Sequence, residues 1–86
     1  MFHVYVLWSE SARRTYVGST GNLADRLRRH NAGLSLATRH GIPWKLVLSE
    51  RFGTRSEAMR RERYYKTGRG REELRVATRT LTGSLV

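Results

Sequence analysis

Hydrophobic and polar positions alternate along this chain in short blocks that change period several times. Phe2 to Trp8 is rich in β-branched and aromatic residues, Ser9 to Arg14 is polar, and Thr15 to Ser19 turns extended again. That order predicts two strands joined as an antiparallel hairpin, with a six-residue connection that holds no Asn-Gly pair to set its turn. Thr20-Gly21-Asn22 then breaks the extended pattern. Asn22 is a natural cap for a helix starting at Leu23, Asp25 stands near the positive helix end, and Gly33 closes the helix.

Leu34 to Pro43 reads as a loop, and Trp44 to Phe52 as a third strand with Trp44, Leu46 and Leu48 on one face. Thr54 and Glu57 form a T-x-x-E capping box ahead of a helix from about Arg55 to Thr67, stopped by Gly68. A weaker helix is expected at Arg71 to Thr78, where Leu74 and Ala77 lie three apart, followed by a poorly ordered tail over residues 79–86. The order ββαβα plus a C-terminal helix predicts an α+β fold: a small three-stranded, mainly antiparallel sheet flanked by helices. With 86 residues and no internal linker, the whole chain, 1–86, is expected to form one domain.

Helical geometry of about 100° per residue shows which polar side chains share the apolar stripes. In the first helix Leu23 and Leu27 define the inward side, and Arg26 and His30 project beside them while Arg28 and Arg29 point elsewhere. Such a pair is either an arginine snorkelling past leucines with a backbone-bonded histidine, or a polar pair with a partner to meet. In the second helix Ala58, Met59 and Tyr65 mark the inward side and Glu62 falls between them, whereas Arg60, Arg61, Arg63 and Tyr64 point mainly outward. Glu62 therefore either pairs with an inward arginine such as Arg26 or binds a cation. Tyr5 and Tyr16 lie on strands expected to pair, where tyrosine usually packs with a satisfied hydroxyl. His40, in the loop, reads as solvent-exposed.

Composition narrows the function. The formal net charge is +10, and 15 of the 17 basic residues are arginine, which suits bidentate phosphate contacts and makes nucleic acid the first partner to consider, ahead of an anionic membrane surface. The absence of cysteine excludes disulfides, thiolate zinc sites and a cysteine nucleophile. No apolar run reaches the roughly 20 residues of a membrane span, and the first residues lack a signal peptide's basic region and cleavage site, so a soluble, cytoplasmic protein is expected.

Taken in order, Val4-Tyr5-Val6-Leu7, Thr15-Tyr16-Val17-Gly18-Ser19-Thr20, Asp25-Arg26-Leu27, His30-Asn31, Glu57-Ala58 and Arg61-Glu62 with Lys66 resemble the GIY-YIG nuclease domain over about residues 2 to 75. The Lys66-Thr-Gly-Arg-Gly-Arg-Glu segment is similar to that of small stand-alone bacterial members related to the excinuclease nuclease domain, with DNA repair or restriction as the setting. His3-Val4 stands where the family has Gly-Ile, and the asparagine that many members carry after the glutamate has no clear counterpart.

The resemblance implies a DNA endonuclease. One divalent cation, Mg²⁺ or Mn²⁺, would be held by Glu62, Arg26 would clamp the phosphate, Tyr5 or Tyr16 would act as general base with its pKa lowered by nearby positive charge, and His30 would accept or relay the proton. It also implies weak, salt-sensitive backbone binding, with specificity supplied by a protein partner. Two rivals remain open: a catalytically silent nucleic-acid-binding module with an internal Arg26–Glu62 ion pair, and an adaptor that docks on an acidic protein.

Overall fold

A computed structural model describes the backbone of residues 1–82 and the side chains through Arg79. The hairpin forms as the residue pattern requires: β1 (Phe2–Ser9) pairs antiparallel with β2 (Arg14–Thr20). Pairing reaches Ser9 and Arg14, so the connection is only Glu10–Arg13, shorter than the polar stretch suggested. The Ser9 hydroxyl accepts the Ala12 amide at 3.0 Å, and Arg13 turns the corner at a left-handed φ of 52°.

The third strand, β3 (Trp44–Phe52), pairs antiparallel with the other side of β1, giving the order β2-β1-β3. As the central strand, β1 is buried on both faces from Val4 to Ser9, which explains its nearly unbroken apolar run. Three helices flank the sheet: α1 (Leu23–Asn31), α2 (Arg55–Tyr65) and α3 (Gly68–Thr82). The expected α+β architecture with a three-stranded antiparallel sheet is therefore observed.

The shared face expected for Trp44, Leu46 and Leu48 is not. The register shifts between Val6 and Leu7, which face Leu48 and Leu46, so Val47 is an extra residue that flips the alternation. Trp44 packs with Tyr5 and Leu7 on the α1 face, Leu48 packs with Val4 and Val6 on the face covered by α2 and α3, and Leu46 is largely exposed.

Caps set the helix ends. Asn22 accepts the Asp25 amide at 3.0 Å at the start of α1, and Gly33, at a φ of +78°, follows its end. The Thr54–Glu57 capping box is complete at the start of α2. That helix stops at Tyr65 rather than Thr67, because the Thr67 hydroxyl donates to the Tyr64 carbonyl at 2.7 Å and accepts the Gly70 amide at 3.1 Å. It closes one helix and opens the next. Accordingly α3 starts at Gly68 instead of Arg71, and it takes in residues 79–82 of the expected tail; residues 83–86 of that tail lie outside the described residues. Gly70 permits the tight turn, since a Cβ there would fall 2.0 Å from the Tyr64 carbonyl oxygen.

On α2 the inward stripe is Ala58 and Tyr65, with Arg61 on one flank and Glu62 on the other. Met59 lies about 100° off that stripe and is exposed, contrary to expectation. Arg61, expected outward, is half-buried and reaches Glu50 on β3 at 3.0 Å, while Glu62 leans the other way, to β2. The two neighbours thus straddle the sheet.

Candidate functional site

The residues singled out in the sequence collect around β2, the edge strand. Tyr5 on β1 is fully buried and stands opposite Gly18 on β2. Its hydroxyl rests against the Gly18 backbone so closely that a Cβ at position 18 would lie 2.5 Å from the phenolic oxygen. Only glycine leaves room for this tyrosine.

From there a buried polar chain runs to the loop after α1. The Tyr5 hydroxyl bonds His30 Nε2 at 2.9 Å, and His30 Nδ1 bonds the Thr38 hydroxyl at 2.8 Å. His30 and Thr38 are both almost wholly buried. The Trp44 indole donates to the Thr38 carbonyl at 2.7 Å, and the Asn31 amide engages both the N–H and the carbonyl of Trp44, at 2.6 and 3.1 Å. The 34–43 segment is thus less free than its sequence suggests, and it contains a 3-10 turn at Arg39–Gly41 with Gly41 buried. His40 is exposed, as expected.

Tyr16, half-buried, sets its ring edge against His30, with centroids 5.0 Å apart, and lies 6.4 Å from the Tyr5 ring. Arg26 and Arg29 line a recess with Tyr16 and His30. The Arg26 charge acts on the Tyr5 hydroxyl and favours its ionised form. Of the alternatives raised for Arg26 and His30, a histidine bonded to backbone is set aside: both of its ring nitrogens meet side-chain hydroxyls.

Electrostatics follow from this burial. Desolvation pushes Tyr5 up to about 12; the phenol of Tyr16 adds to the rise and Arg26 opposes it. The positive charge expected to lower a tyrosine pKa here is outweighed by burial at Tyr5. Burial, assisted by the Arg26 charge, pulls His30 below its usual 6.5, so its imidazole is neutral near pH 7.

Glu62 lies on the other face. Its carboxylate accepts from the Ser19 hydroxyl at 2.7 Å and from Lys66 Nζ at 2.8 Å. Burial is the largest influence on this carboxyl and acts to raise it, yet the hydrogen bonds from Lys66 and Ser19 together prevail and hold it below the usual 4.5. The Glu62 charge still acts on Tyr5. The structure therefore joins Tyr5, Tyr16 and His30 in direct contact, sets Arg26 beside them, and puts Glu62 across the edge strand. No ion pair links Arg26 to Glu62 among the described residues, so the internal pair considered from the sequence gives way to Ser19 and Lys66. Nor do those residues include a group of three or more His, Asp or Glu side chains arranged for a metal.

Sequence reasoning missed Thr38 and Ser19, which hold His30 and Glu62. A signal existed for Ser19: it immediately follows Tyr16-Val17-Gly18, and strand alternation puts it on the face opposite Tyr16. Nothing local marked Thr38.

Comparison with known proteins agrees with this geometry. The GIY-YIG catalytic domain matches residues 1–74. The chain belongs to the GIY-YIG family. It is 40% identical over 80 residues to a UPF0213 protein of Natronomonas pharaonis, covering 91% of this chain and 93% of that one. A UPF0213 protein of Bacillus licheniformis is 38% identical over 65 residues, 74% of this chain and 67% of its own. The solution NMR structure of the UPF0213 protein BH0048 from Bacillus halodurans has a TM-score of 0.52 and 32% identity, and the match covers 86% of this chain and 82% of that one. Among the described residues no helix is long and apolar enough to cross a membrane.

Proposed function

We propose that this GIY-YIG domain binds the phosphate backbone of nucleic acid. The observation that carries this reading is the pair of arginines, Arg26 and Arg29, lining a recess with no carboxylate, on a chain of net charge +10. Guanidinium groups in such a recess match phosphate oxygens as forks of donors. Binding of this kind needs no metal. It is compatible with Glu62 remaining paired with Lys66 and hydrogen-bonded by Ser19, as a catalytically silent binding module requires.

A second reading, metal-dependent DNA cleavage, is favoured by a separate observation, the buried Tyr5–His30–Thr38 chain next to Arg26. A stability role alone does not call for three buried polar groups in series. The family resemblance gives the cation to Glu62, and the donor chemistry fits. Each carboxylate oxygen accepts one hydrogen bond and keeps a lone pair, and Lys66 is an exposed i,i+4 partner that costs little to displace. Mg²⁺ or Mn²⁺, which keeps waters and takes one or two carboxylates together with substrate phosphate, suits a single glutamate; when bound it supplies charge neutralisation at the phosphoryl oxygens.

In this reading the remaining work falls to the chain's own side chains. Arg26 holds the phosphate. Tyr5, with its pKa near 12, is not a phenolate at neutral pH, so it acts as a relay: its oxygen takes a proton from the attacking water as its own proton passes to His30 Nε2. His30 can accept because burial keeps it neutral and Nδ1–H donates to Thr38. Tyr16, edge-on to the same imidazole, is the alternative relay.

The deciding experiment measures binding and cleavage in parallel, on supercoiled plasmid and a panel of branched DNAs, for wild type and Glu62→Ala in Mg²⁺, Mn²⁺ or EDTA. Binding is expected to survive both EDTA and the substitution. Cutting that needs the metal and Glu62 together establishes hydrolysis, and binding without cutting under any condition leaves the binding module. No binding at low salt rejects both readings and favours an acidic protein partner.

A further inference from the structure

Two basic recesses meet at Tyr16. The first, about 280 Å³, is the Arg26–Arg29–His30 recess on the α1 face. The second, about 430 Å³, lies on the opposite face against the α2–α3 junction, walled by Thr15, Tyr16, Tyr65, Lys66, Arg71 and Arg75. Tyr16 belongs to both. Because β2 is an edge strand, the route between the recesses passes over an open strand edge rather than through the sheet.

Neither recess is lined by a carboxylate. Arg71 and Arg75 are four residues apart, one above the other on α3. Arg71 makes no ion pair among the described residues. Arg75 pairs with Glu72, and Arg29 with Asp25 at 3.6 Å, in exposed contacts that exchange readily for a phosphate. Five cations therefore lie along one track, two before Tyr16 and three after it, and Lys66 connects the track to Glu62.

We infer that a single-stranded stretch of nucleic acid crosses the β2 edge at Tyr16, its phosphates held by Arg26 and Arg29 on one side and by Arg71 and Arg75 on the other. This rests on the nucleic-acid reading above and adds the form of the ligand. Duplex DNA has a persistence length of about 150 base pairs and does not fold over a strand edge in a molecule only 33 × 29 × 19 Å in extent. A single strand, as at a branch, a frayed end or a flap, does so at little cost.

The test titrates labelled single-stranded DNA of about twelve and about four nucleotides, and the longer sequence as a duplex, against wild type, Arg71→Gln/Arg75→Gln, and a charge-matched control, Arg51→Gln/Arg60→Gln. The α3 pair is expected to weaken binding of the longer strand about tenfold and to reduce the salt slope by about 1.4, with the control and the short strand little changed. Equal losses in the two double variants, or on the two strand lengths, overturn the crossing path. A duplex bound as tightly as the single strand, with the same dependence on Arg71 and Arg75, overturns the single-strand assignment. If wild type binds none of these probes, the nucleic-acid reading itself fails.

Discussion

The two faces of the sheet are packed by different means. Under α2 and α3, the core of Val4, Val6, Val17, Ala58, Tyr65 and Leu74 is apolar apart from the Tyr65 hydroxyl. Its charged groups stand at the rim, where Glu50 accepts from Arg61 and from the Tyr65 hydroxyl, and Glu73 accepts from Arg61 and Tyr64. Under α1, Tyr5, His30 and Thr38 are placed in the interior itself and satisfy one another. Burying polar groups is costly even when they are paired, and leucines would fill the same volume more stably. One face is built for cohesion, and the other accepts a cost for a connected chain of polar groups.

The sharpest way to break that contrast is Tyr5→Phe. Removing one oxygen from the α1 face should reduce any metal-dependent cleavage by roughly 10²–10⁴-fold, a larger effect than the loss of about 1–3 kcal/mol in urea unfolding expected from leaving His30 Nε2 without its partner. An unchanged cleavage rate would move the relay to Tyr16.

On the opposite face the order of effects should reverse. Arg61→Ala leaves the Glu50 carboxylate and the Tyr65 hydroxyl without their main donor and should cost about 1–3 kcal/mol in equilibrium unfolding, with DNA affinity and its salt slope nearly unaltered. A large loss of affinity with no loss of stability would place Arg61 on the ligand.

The smallest expected effect is a pH dependence. Because burial depresses His30 below 6.5, the unfolded chain takes up that proton first; the stabilisation is complete above about 6.5 and is lost as pH falls through the lower folded-state value. Asp25, Glu50, Glu62 and Glu72, held below their ordinary carboxylate values, contribute only in a more acidic window. The melting temperature of wild type should therefore decline between about pH 7 and pH 5, and that of His30→Gln should be flatter there. A flat wild-type profile would mean that folded His30 carries its proton as readily as the unfolded chain.

What could be read from the sequence was what is local. Periodicity and caps located β1, β2, α1 and α2, because Asn22, Gly33, Thr54 and Glu57 act within a few residues of themselves. The inward lean of His30 and Glu62 followed from helical angle alone. What escaped depends on distant partners. Arg61 turns inward for an acid on β3, Leu48 changes face through one extra residue in the pairing, and Thr38 enters the site only because Asn31 and Trp44 fold its loop back against α1. The Arg26–Glu62 pairing failed for a related reason: helical angle gives a direction, and these two point toward opposite faces of the sheet.

The contact between the Tyr5 hydroxyl and the Gly18 backbone ties the fates of two positions together. Any side chain at 18 evicts the phenol, so among descendants of this chain a change there should travel with a smaller residue at 5, and the imidazole of His30 would lose its partner in the same step. Lineages that abandon the tyrosine would be recognisable by a relaxed glycine, which makes position 18 a historical marker of whether the contact between Tyr5 and His30 is still under selection.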